Sequence, residues 1–208
     1  MATYSGDFSY LTGDNIGSLT GIAGAGNPDT LMILEIGKEL EILGGHAGDF
    51  LTSDVNPEVL VRILDLTARL SLEGREGKPV GASFIVGDDQ KVLSFTRQMT
   101  INPFRGYPEE ERNILSPELE ETVKEFASID GVFIVRGDGV ILTAGAYLQP
   151  PGGEKPIEPG LGARHTAAAS ITEATSSIAV VLSESTGTAR LYRDGSVVMA
   201  IERPKGPV

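Results

Sequence analysis

Apolar residues recur along this chain with two different spacings, and the longer spacing predicts helices. Between Val59 and Leu70 they lie three or four positions apart, so that they share one face of a helix. Asn56-Pro57 precedes this stripe and favours a helix start, because Asn caps and Pro suits the first turn. Gly74 favours its end. Ser116-Pro117 predicts the start of a second helix in the same way.

Short runs of consecutive apolar residues predict buried strands. The predicted strands are residues 79–86, 91–95, 132–135, 140–148, 178–182, 189–192 and 197–201. An Ala-rich third helix is predicted to begin near Ala163. Since helices alternate with strand pairs, we expect an α/β protein of the α+β type, with a single mixed central sheet flanked by helices.

The beginning of the chain predicts a small N-terminal appendage over residues 1–55, ahead of a main domain over residues 56–208. Two apolar runs within residues 29–43 predict a β-hairpin. The lead-in before it is Gly-rich, and the glycines of residues 21–26 resemble a dinucleotide-binding loop. No apolar strand precedes them and Asn27-Pro28 follows, so a Rossmann-type NAD site is disfavoured.

Composition and charge narrow the class of protein. A length of 208 residues suits one well-filled domain with a small addition. A net charge of −12 disfavours non-specific binding of nucleic acid. No apolar run approaches the roughly 20 residues that span a bilayer, and no signal peptide is recognisable, so we expect a cytoplasmic protein without a membrane partner. The absence of Cys excludes disulfides and thiolate metal sites.

The stretch from Gly160 to Thr166, Gly-Leu-Gly-Ala-Arg-His-Thr, has the features of a phosphate site. Its two glycines let the backbone bend closely around a ligand. A helix that begins near Ala163 would direct free N–H groups and its positive dipole end at that ligand. Arg164 adds a planar guanidinium and His165 a donor or metal ligand. The alternative is an ordinary Gly-rich loop whose Arg and His are solvated.

Two further motifs accompany this stretch, Asp130-Gly131-Val132 upstream and Ser-Glu-Ser-Thr-Gly at residues 183–187 downstream. Together the three resemble the diadenylate cyclase family, whose signatures are Asp-Gly-Ala, Arg-His-Arg and Ser-Glu-x-Thr-Gly. The resemblance extends over about residues 57–204. Residues 74–81 and Asn102-Pro103-Phe104 are most similar to the archaeal cyclases of that family.

The resemblance implies an enzyme that condenses two ATP into cyclic di-AMP and releases two pyrophosphates. In the family two domains face each other, and the two-fold symmetry of the product makes the same demand. Because this chain has no internal repeat, we expect a homodimer or a larger homo-oligomer. Mg²⁺ or Mn²⁺ is the expected cofactor, because a site with oxygen ligands and no thiolate suits hard cations. The implied metal ligands are Asp130, His165 and Glu184.

The resemblance also assigns roles to side chains. Asp130 would accept the proton of the attacking ribose hydroxyl or hold the metal, although Asp-Gly is also a common turn. Arg164 would neutralise phosphate charge, and His165 would ligate the metal or donate to a phosphate. The implied ATP-binding residues are Asp130, Gly131, Val132, Leu148, Gly162, Ala163, Arg164, His165, Thr166, Ser183 and Glu184.

Three of these positions depart from the family pattern. Val132 replaces Ala and adds two methyl groups beside the nucleotide, Thr166 replaces the second Arg, and Ala163 replaces a common Thr. The alternative function is therefore a catalytically weakened sensor or regulatory protein that binds adenine nucleotides. Release of pyrophosphate from ATP distinguishes the cyclase from the sensor.

Overall fold

The computed structural model describes residues 15–20, 30–35, 52, 54–152 and 162–202, the first two of these segments as backbone only. The chain divides into two compact units, Met1–Asp49 and Phe50–Val208. The predicted boundary between residues 55 and 56 lies a few residues further along the chain.

In the first unit, β1 (Asn15–Thr20) pairs antiparallel with β2 (Thr30–Glu35). The first apolar run of the predicted hairpin lies within β2. Its partner is β1, which is in the Gly-rich lead-in where no strand was predicted. The second run of the predicted hairpin, residues 40–43, and the glycines of residues 21–26 lie outside the described residues.

The second unit contains helices and strands in alternating groups. Its elements are α1 (Pro57–Glu73), β3 (Ala82–Val86), α2 (Asp89–Ser94), β4 (Thr96–Gln98), two 3₁₀ turns (Glu109–Arg112 and Pro117–Leu119), α3 (Glu120–Ala127), β5 (Val132–Val135), β6 (Ile141–Leu148), α4 (Ala163–Ala174), β7 (Ile178–Leu182), β8 (Ala189–Arg193) and β9 (Ser196–Ile201). None of the helices in the described residues is long and apolar enough to cross a bilayer.

The strands of the second unit form one seven-stranded sheet in the order β4-β6-β5-β3-β7-β8-β9. β3 and β5 run parallel, and every other neighbouring pair is antiparallel. The predicted mixed sheet flanked by helices is therefore confirmed.

Apolar side chains cover both faces of this sheet, which explains why its central strands are continuous apolar runs. Along β3, Phe84 packs into a core that also contains the apolar stripe of α1, whereas Ile85 packs into a second core that contains Ala168 and Ile171 of α4. The Phe84 and Phe133 rings stack in the first core, with their centroids 4.9 Å apart. The sheet is thus a middle layer between two layers of helices.

The strand directions bring two of the three sequence motifs to one edge of the sheet. Because β7 is antiparallel to β3, Leu182 at its end lies opposite Ala82 at the start of β3. The start of β5 lies on the same edge, where Val132 pairs with Ala146 near the end of β6. The first residue of β5 follows Asp130-Gly131, and Ser183 follows β7.

The sequence-based prediction was wrong in two places within the second unit. Residues 91–95 were predicted as a strand, but residues 89–94 form α2. Val92 is buried, Leu93 is exposed and Phe95 is half-buried, so burial here does not alternate as a strand requires. β4 was not predicted, because Thr96–Gln98 carries no apolar residue. Asn56 precedes α1 as predicted, yet its side chain makes no capping hydrogen bond.

Gly131 is required by the way β5 approaches β6. Its φ is +116°, and a Cβ at this position would lie 2.6 Å from the carbonyl carbon of Gly145. We expect Gly131→Ala to lower the free energy of unfolding by about 3 kcal/mol, since backbone strain and a backbone clash combine. Urea unfolding measures this loss. Gly106→Ala is the control, because Gly106 has φ +90° but no atom within 4 Å of the added Cβ; equal losses in both variants would contradict the clash.

Candidate active site

A cavity of about 880 Å³ opens at the sheet edge where the three motifs meet. Asp130, Gly131 and Val132 line it from the start of β5, and Leu148 from the end of β6. Gly162, Ala163, Arg164 and His165 line it from the beginning of α4, and Ser183 and Glu184 from the end of β7. Thr166, which was also predicted to bind nucleotide, is half-buried and is not part of the lining.

Asp130 and Arg164 are joined by an ion pair in this cavity. An Nη2 hydrogen of Arg164 is donated to Oδ1 of Asp130 across 3.0 Å. The Asp130 side chain is 88% exposed, so most of its surface is accessible. A guanidinium has five N–H donors, so this contact leaves most of the donors of Arg164 available to a ligand. The pair therefore places an accessible base beside an accessible cation.

Gly81 makes room for Arg164. A Cβ on Gly81 would lie 2.9 Å from Nη1 of Arg164 and 3.2 Å from the carbonyl oxygen of Leu182. The sequence marked Gly81 only as the end of a run similar to the archaeal cyclases. Its contact with Arg164 could not be predicted, because the two residues are far apart in the chain.

His165 is a buried neutral base at the floor of the cavity. Its side chain is 4% exposed, and its Nδ1 lies 2.9 Å from the hydroxyl oxygen of Tyr192 on β8. Burial, followed by the positive charges of Arg190 and Arg164, lowers the pKa of His165 from 6.5 to about 4. The imidazole is therefore uncharged at neutral pH. One of its ring nitrogens carries a proton and donates a hydrogen bond, and the other accepts one.

The low pKa of His165 predicts a loss of stability in acid. Between about pH 6.5 and 4 the unfolded chain binds a proton that the folded chain does not, so the free energy of unfolding falls as the pH falls through this window. The titration of His165 is expected to lower the free energy of unfolding by about 3 kcal/mol across this window. Urea unfolding at pH 7 and pH 4 measures it, with His165→Asn as the non-titrating comparison. Identical pH dependence in the two proteins would contradict the prediction.

The segment after β7 forms a tight turn against the cavity. The Gly187 N–H donates to the Ser183 carbonyl across 2.9 Å, and the Ser183 N–H donates to the Thr188 carbonyl across 3.0 Å. Ser185 and Thr186 line the cavity together with the predicted Ser183 and Glu184. Thr186 was not among the predicted ATP-binding residues, so its place in the lining was missed.

Several other lining residues were also missed. Arg190, Ala146 and Tyr147 lie within strands that the sequence marks only as apolar, and Met99 follows β4, which was not predicted. Arg190 on β8 is half-buried and adds a second guanidinium to the cavity. Met99, Ala146 and Tyr147 line the opposite side, and Tyr147 is 41% exposed. A charged residue within an otherwise apolar strand was the available signal for Arg190. The cavity thus has a cationic side at α4 and β8 and an apolar side at β5 and β6.

The metal ligands predicted from the sequence do not form a preassembled site. In the part of the chain that the structure describes, no three His, Cys, Asp or Glu side chains cluster closely enough to hold an ion. Asp130 and Glu184 are nevertheless exposed carboxylates on the cavity wall. Mg²⁺ is usually bound by one or two carboxylates together with phosphate oxygens of the substrate. The donor set therefore fits a cation that binds together with a nucleotide.

Comparison with known proteins agrees with the motifs. Residues 69–197 match the family described as DAC, DisA bacterial checkpoint controller nucleotide-binding. The chain is 35% identical over 173 residues to a diadenylate cyclase of Methanocaldococcus jannaschii, a match that covers 83% of this chain and 55% of that protein. It is 35% identical over 190 residues to a diadenylate cyclase of Haloferax volcanii, covering 91% of this chain and 68% of that protein.

The chain thus spans about half the length of the first of these relatives. Among solved structures, a protein from Bacillus cereus titled as a hypothetical membrane spanning protein matches with a TM-score of 0.54. That match is 18% identical and covers 75% of this chain and 69% of the other, so it bears on the fold alone. The family match over residues 69–197, together with the relative of which this chain covers 68%, shows that the chain belongs to the DAC family.

Proposed function

We propose that this protein is a diadenylate cyclase that condenses two ATP into cyclic di-AMP and releases two pyrophosphates. The observation that carries the proposal is the convergence of Asp130, Arg164 and His165 on one cavity, with Asp130 and Arg164 joined at 3.0 Å. The two relatives named as diadenylate cyclases support the same activity.

The cationic side of the cavity suits a triphosphate. Arg164 and Arg190 both line it, and α4 begins there with Gly162 as its N-cap. The free N–H groups of a helix N-terminus and its dipole attract anions, and two guanidiniums add full positive charges. We therefore assign the phosphates of ATP to the side formed by α4 and β8.

The apolar side of the cavity suits the adenine base. Val132 and Leu148 are buried at 5% and 3% exposure, so each presents only a small apolar surface to the cavity. Tyr147 is more exposed and offers an aromatic ring beside them. Proteins commonly bind a base by stacking it on an aromatic ring and by apolar contact. The assignment leaves the ribose between the base and the phosphates, near Asp130.

In the proposed reaction the 3′-oxygen of one ATP attacks the α-phosphorus of the other. An oxygen–phosphorus bond forms, the bond from the α-phosphorus to the bridging oxygen of pyrophosphate breaks, and the hydroxyl proton passes to the carboxylate of Asp130. Arg164 stabilises the negative charge on the phosphate oxygens. A second attack, by the 3′-oxygen of the other ATP on the α-phosphorus of the first, closes the ring and releases the second pyrophosphate. Asp130 and Glu184 would hold a bound Mg²⁺ or Mn²⁺, which would neutralise further negative charge on the phosphates.

A second copy of the chain must face the first for this chemistry. One cavity contains one Asp130 and one Arg164, whereas the product requires two attacks related by two-fold symmetry. We therefore propose a face-to-face homodimer as the active species.

Incubation of the purified protein with ATP and Mg²⁺ or Mn²⁺ tests the proposal. Mass spectrometry should detect cyclic di-AMP, and a coupled assay should detect two pyrophosphates for each product molecule. The sensor function is favoured by Val132 and Ala163, which depart from the family pattern and line the cavity. Binding of ATP without release of pyrophosphate would establish the sensor and overturn the cyclase.

Gly81→Ala should lower the affinity of the protein for ATP without unfolding the protein. The added Cβ displaces the guanidinium of Arg164, because it would lie 2.9 Å from Nη1. A charge-assisted hydrogen bond contributes about 1.5–3 kcal/mol, so we expect the KM for ATP to rise about tenfold or more. Steady-state kinetics measures the change. Gly77→Ala is the control in the same loop. Its φ of +74° strains the backbone, but its Cβ would contact nothing within 4 Å, so the KM should not change. An unchanged KM in Gly81→Ala would show that Arg164 keeps its position.

A further inference from the structure

Tyr192 is a buried hydroxyl in direct contact with the cavity histidine. It lies on β8, is 1% exposed, and is one of the largest fully buried side chains in the described part of the chain. Its hydroxyl oxygen lies 2.9 Å from Nδ1 of His165 in the first turn of α4, which packs against β8. The two rings are tilted by 48°, with their centroids 5.9 Å apart. Both side chains of this contact are therefore buried.

The contact matters because a neutral imidazole carries its proton on one nitrogen only. If the Tyr192 hydroxyl donates to Nδ1, Nε2 carries the proton and His165 can donate a hydrogen bond into the cavity. If Nδ1–H donates to Tyr192 instead, Nε2 has a lone pair and can bind a metal. The direction of one hydrogen bond therefore decides between the two roles that the sequence allowed for His165.

The charges around His165 favour an Nε2–H that donates to a phosphate over an Nε2 that binds a metal. Arg164 and Arg190 both line the cavity with it, and both act on the imidazole by their positive charge. A divalent cation at Nε2 would be repelled by two guanidiniums, although Asp130 partly neutralises Arg164. A phosphate oxygen would be attracted to both guanidiniums and to Nε2–H. A phenol is also a stronger donor than a neutral imidazole N–H, which favours donation from Tyr192.

We propose, on the basis of the cyclase function proposed above, that Tyr192 is a positioning residue that fixes His165 as an Nε2–H donor to a phosphate oxygen of ATP. His165 then acts on the substrate phosphates directly, and the metal is left to the carboxylates of Asp130 and Glu184. Tyr192 does not contact the nucleotide in this arrangement. Its effect passes through the proton position of His165.

Nitrogen-15 NMR of histidine-labelled protein tests the proposal directly. The chain contains two histidines, His46 and His165, so His46→Gln assigns the spectrum. Two-bond proton–nitrogen spectra at pH 7 identify which ring nitrogen carries the proton. We expect a single tautomer of His165 with the proton on Nε2. A proton on Nδ1 in the wild-type protein would overturn the proposal, and the measurement needs no substitution at the site, since His46→Gln serves only to assign the signals.

Tyr192→Phe supplies the second measurement. It keeps the ring and removes the hydroxyl, so we expect a mixture of His165 tautomers and an affinity for ATP about five- to tenfold lower, measured with EDTA present. Tyr107→Phe removes a hydroxyl from a tyrosine that is 57% exposed and outside the cavity lining, and should change neither quantity. A Tyr192→Phe protein with an unchanged tautomer and unchanged affinity would also overturn the proposal.

The same experiments separate this proposal from the proposed function. If the wild-type protein makes cyclic di-AMP but its His165 carries the proton on Nδ1, the roles of Tyr192 and His165 proposed here are wrong, whereas the proposed function stands. If the protein neither binds ATP nor makes cyclic di-AMP, the proposed function fails, whichever tautomer is observed.

Discussion

Replacing Asp130 with Asn will lower the rate of cyclic di-AMP synthesis about a thousandfold or more, while ATP binding remains measurable. The amide has nearly the same shape as the carboxylate, but it cannot accept the proton of the attacking hydroxyl or carry the charge that a metal requires. The Asp130 side chain is 88% exposed, so the substitution removes little packing. The effect should therefore appear in kcat and not in the stability of the protein.

Asp138→Asn is a matched control for this experiment. Asp138 also precedes a glycine in a turn and pairs with an arginine, because Arg136 Nη2 lies 2.7 Å from its Oδ2. It is not part of the cavity lining. Pyrophosphate release gives the rates, and calorimetry gives the ATP affinities of both variants. Near-native turnover in Asp130→Asn would mean that Asp130 serves only the turn before β5.

The fold was predictable where burial sets the pattern. The central strands are covered on both faces, so β3, β5 and β7 appear in the sequence as uninterrupted apolar runs, and α1 appears as a single apolar stripe. The prediction failed at α2 because six residues are too few to reveal a helical period. It failed at β4 because an edge strand of polar residues carries no apolar signal.

The candidate site was predictable where its residues are consecutive in the chain. Asp130-Gly131-Val132 and residues 162–165 are recognisable as short motifs, and the fold brings them to one cavity. Gly81, Arg190 and Tyr192 could not be found in this way. Gly81 and Tyr192 each act through a neighbour that is distant in sequence. The charge of Arg190 within an apolar strand was a signal, but its strand is not a neighbour of the motifs in the sequence.

Arg190 changes the meaning of one departure from the family pattern. Thr166 lies where the family has a second Arg, which suggested that one positively charged side chain for phosphate binding is missing. In the structure Thr166 is outside the cavity lining, whereas Arg190 on β8 supplies a second guanidinium within it. The cationic side of the cavity therefore keeps two arginines, which favours catalysis over a weakened sensor.

A mixed dimer with Asp130→Asn in one chain and Arg164→Ala in the other should stall at a linear dinucleotide. Within one chain Asp130 and Arg164 are 3.0 Å apart, so each chain is expected to activate the hydroxyl and to hold the phosphates of its own ATP. The chain that keeps Asp130 can then direct an attack on the phosphate held by the chain that keeps Arg164. One bond forms by this route.

The return attack in that dimer lacks both groups. Its hydroxyl belongs to the chain that carries Asp130→Asn, and its target phosphate belongs to the chain that carries Arg164→Ala. Ring closure should therefore be slower than the first step by at least the roughly thousandfold factor expected from the loss of Asp130 alone. Differently tagged chains allow the mixed dimer to be purified, and mass spectrometry follows linear and cyclic products over time. ATP must be saturating, because Arg164→Ala also weakens binding.

The reciprocal control for the mixed dimer places both substitutions in one chain opposite a wild-type chain. In that dimer each attack lacks one group, so both bonds should form slowly and little linear product should accumulate. Cyclic product from the first dimer at half the wild-type rate, without a linear intermediate, would contradict the division of roles between Asp130 and Arg164.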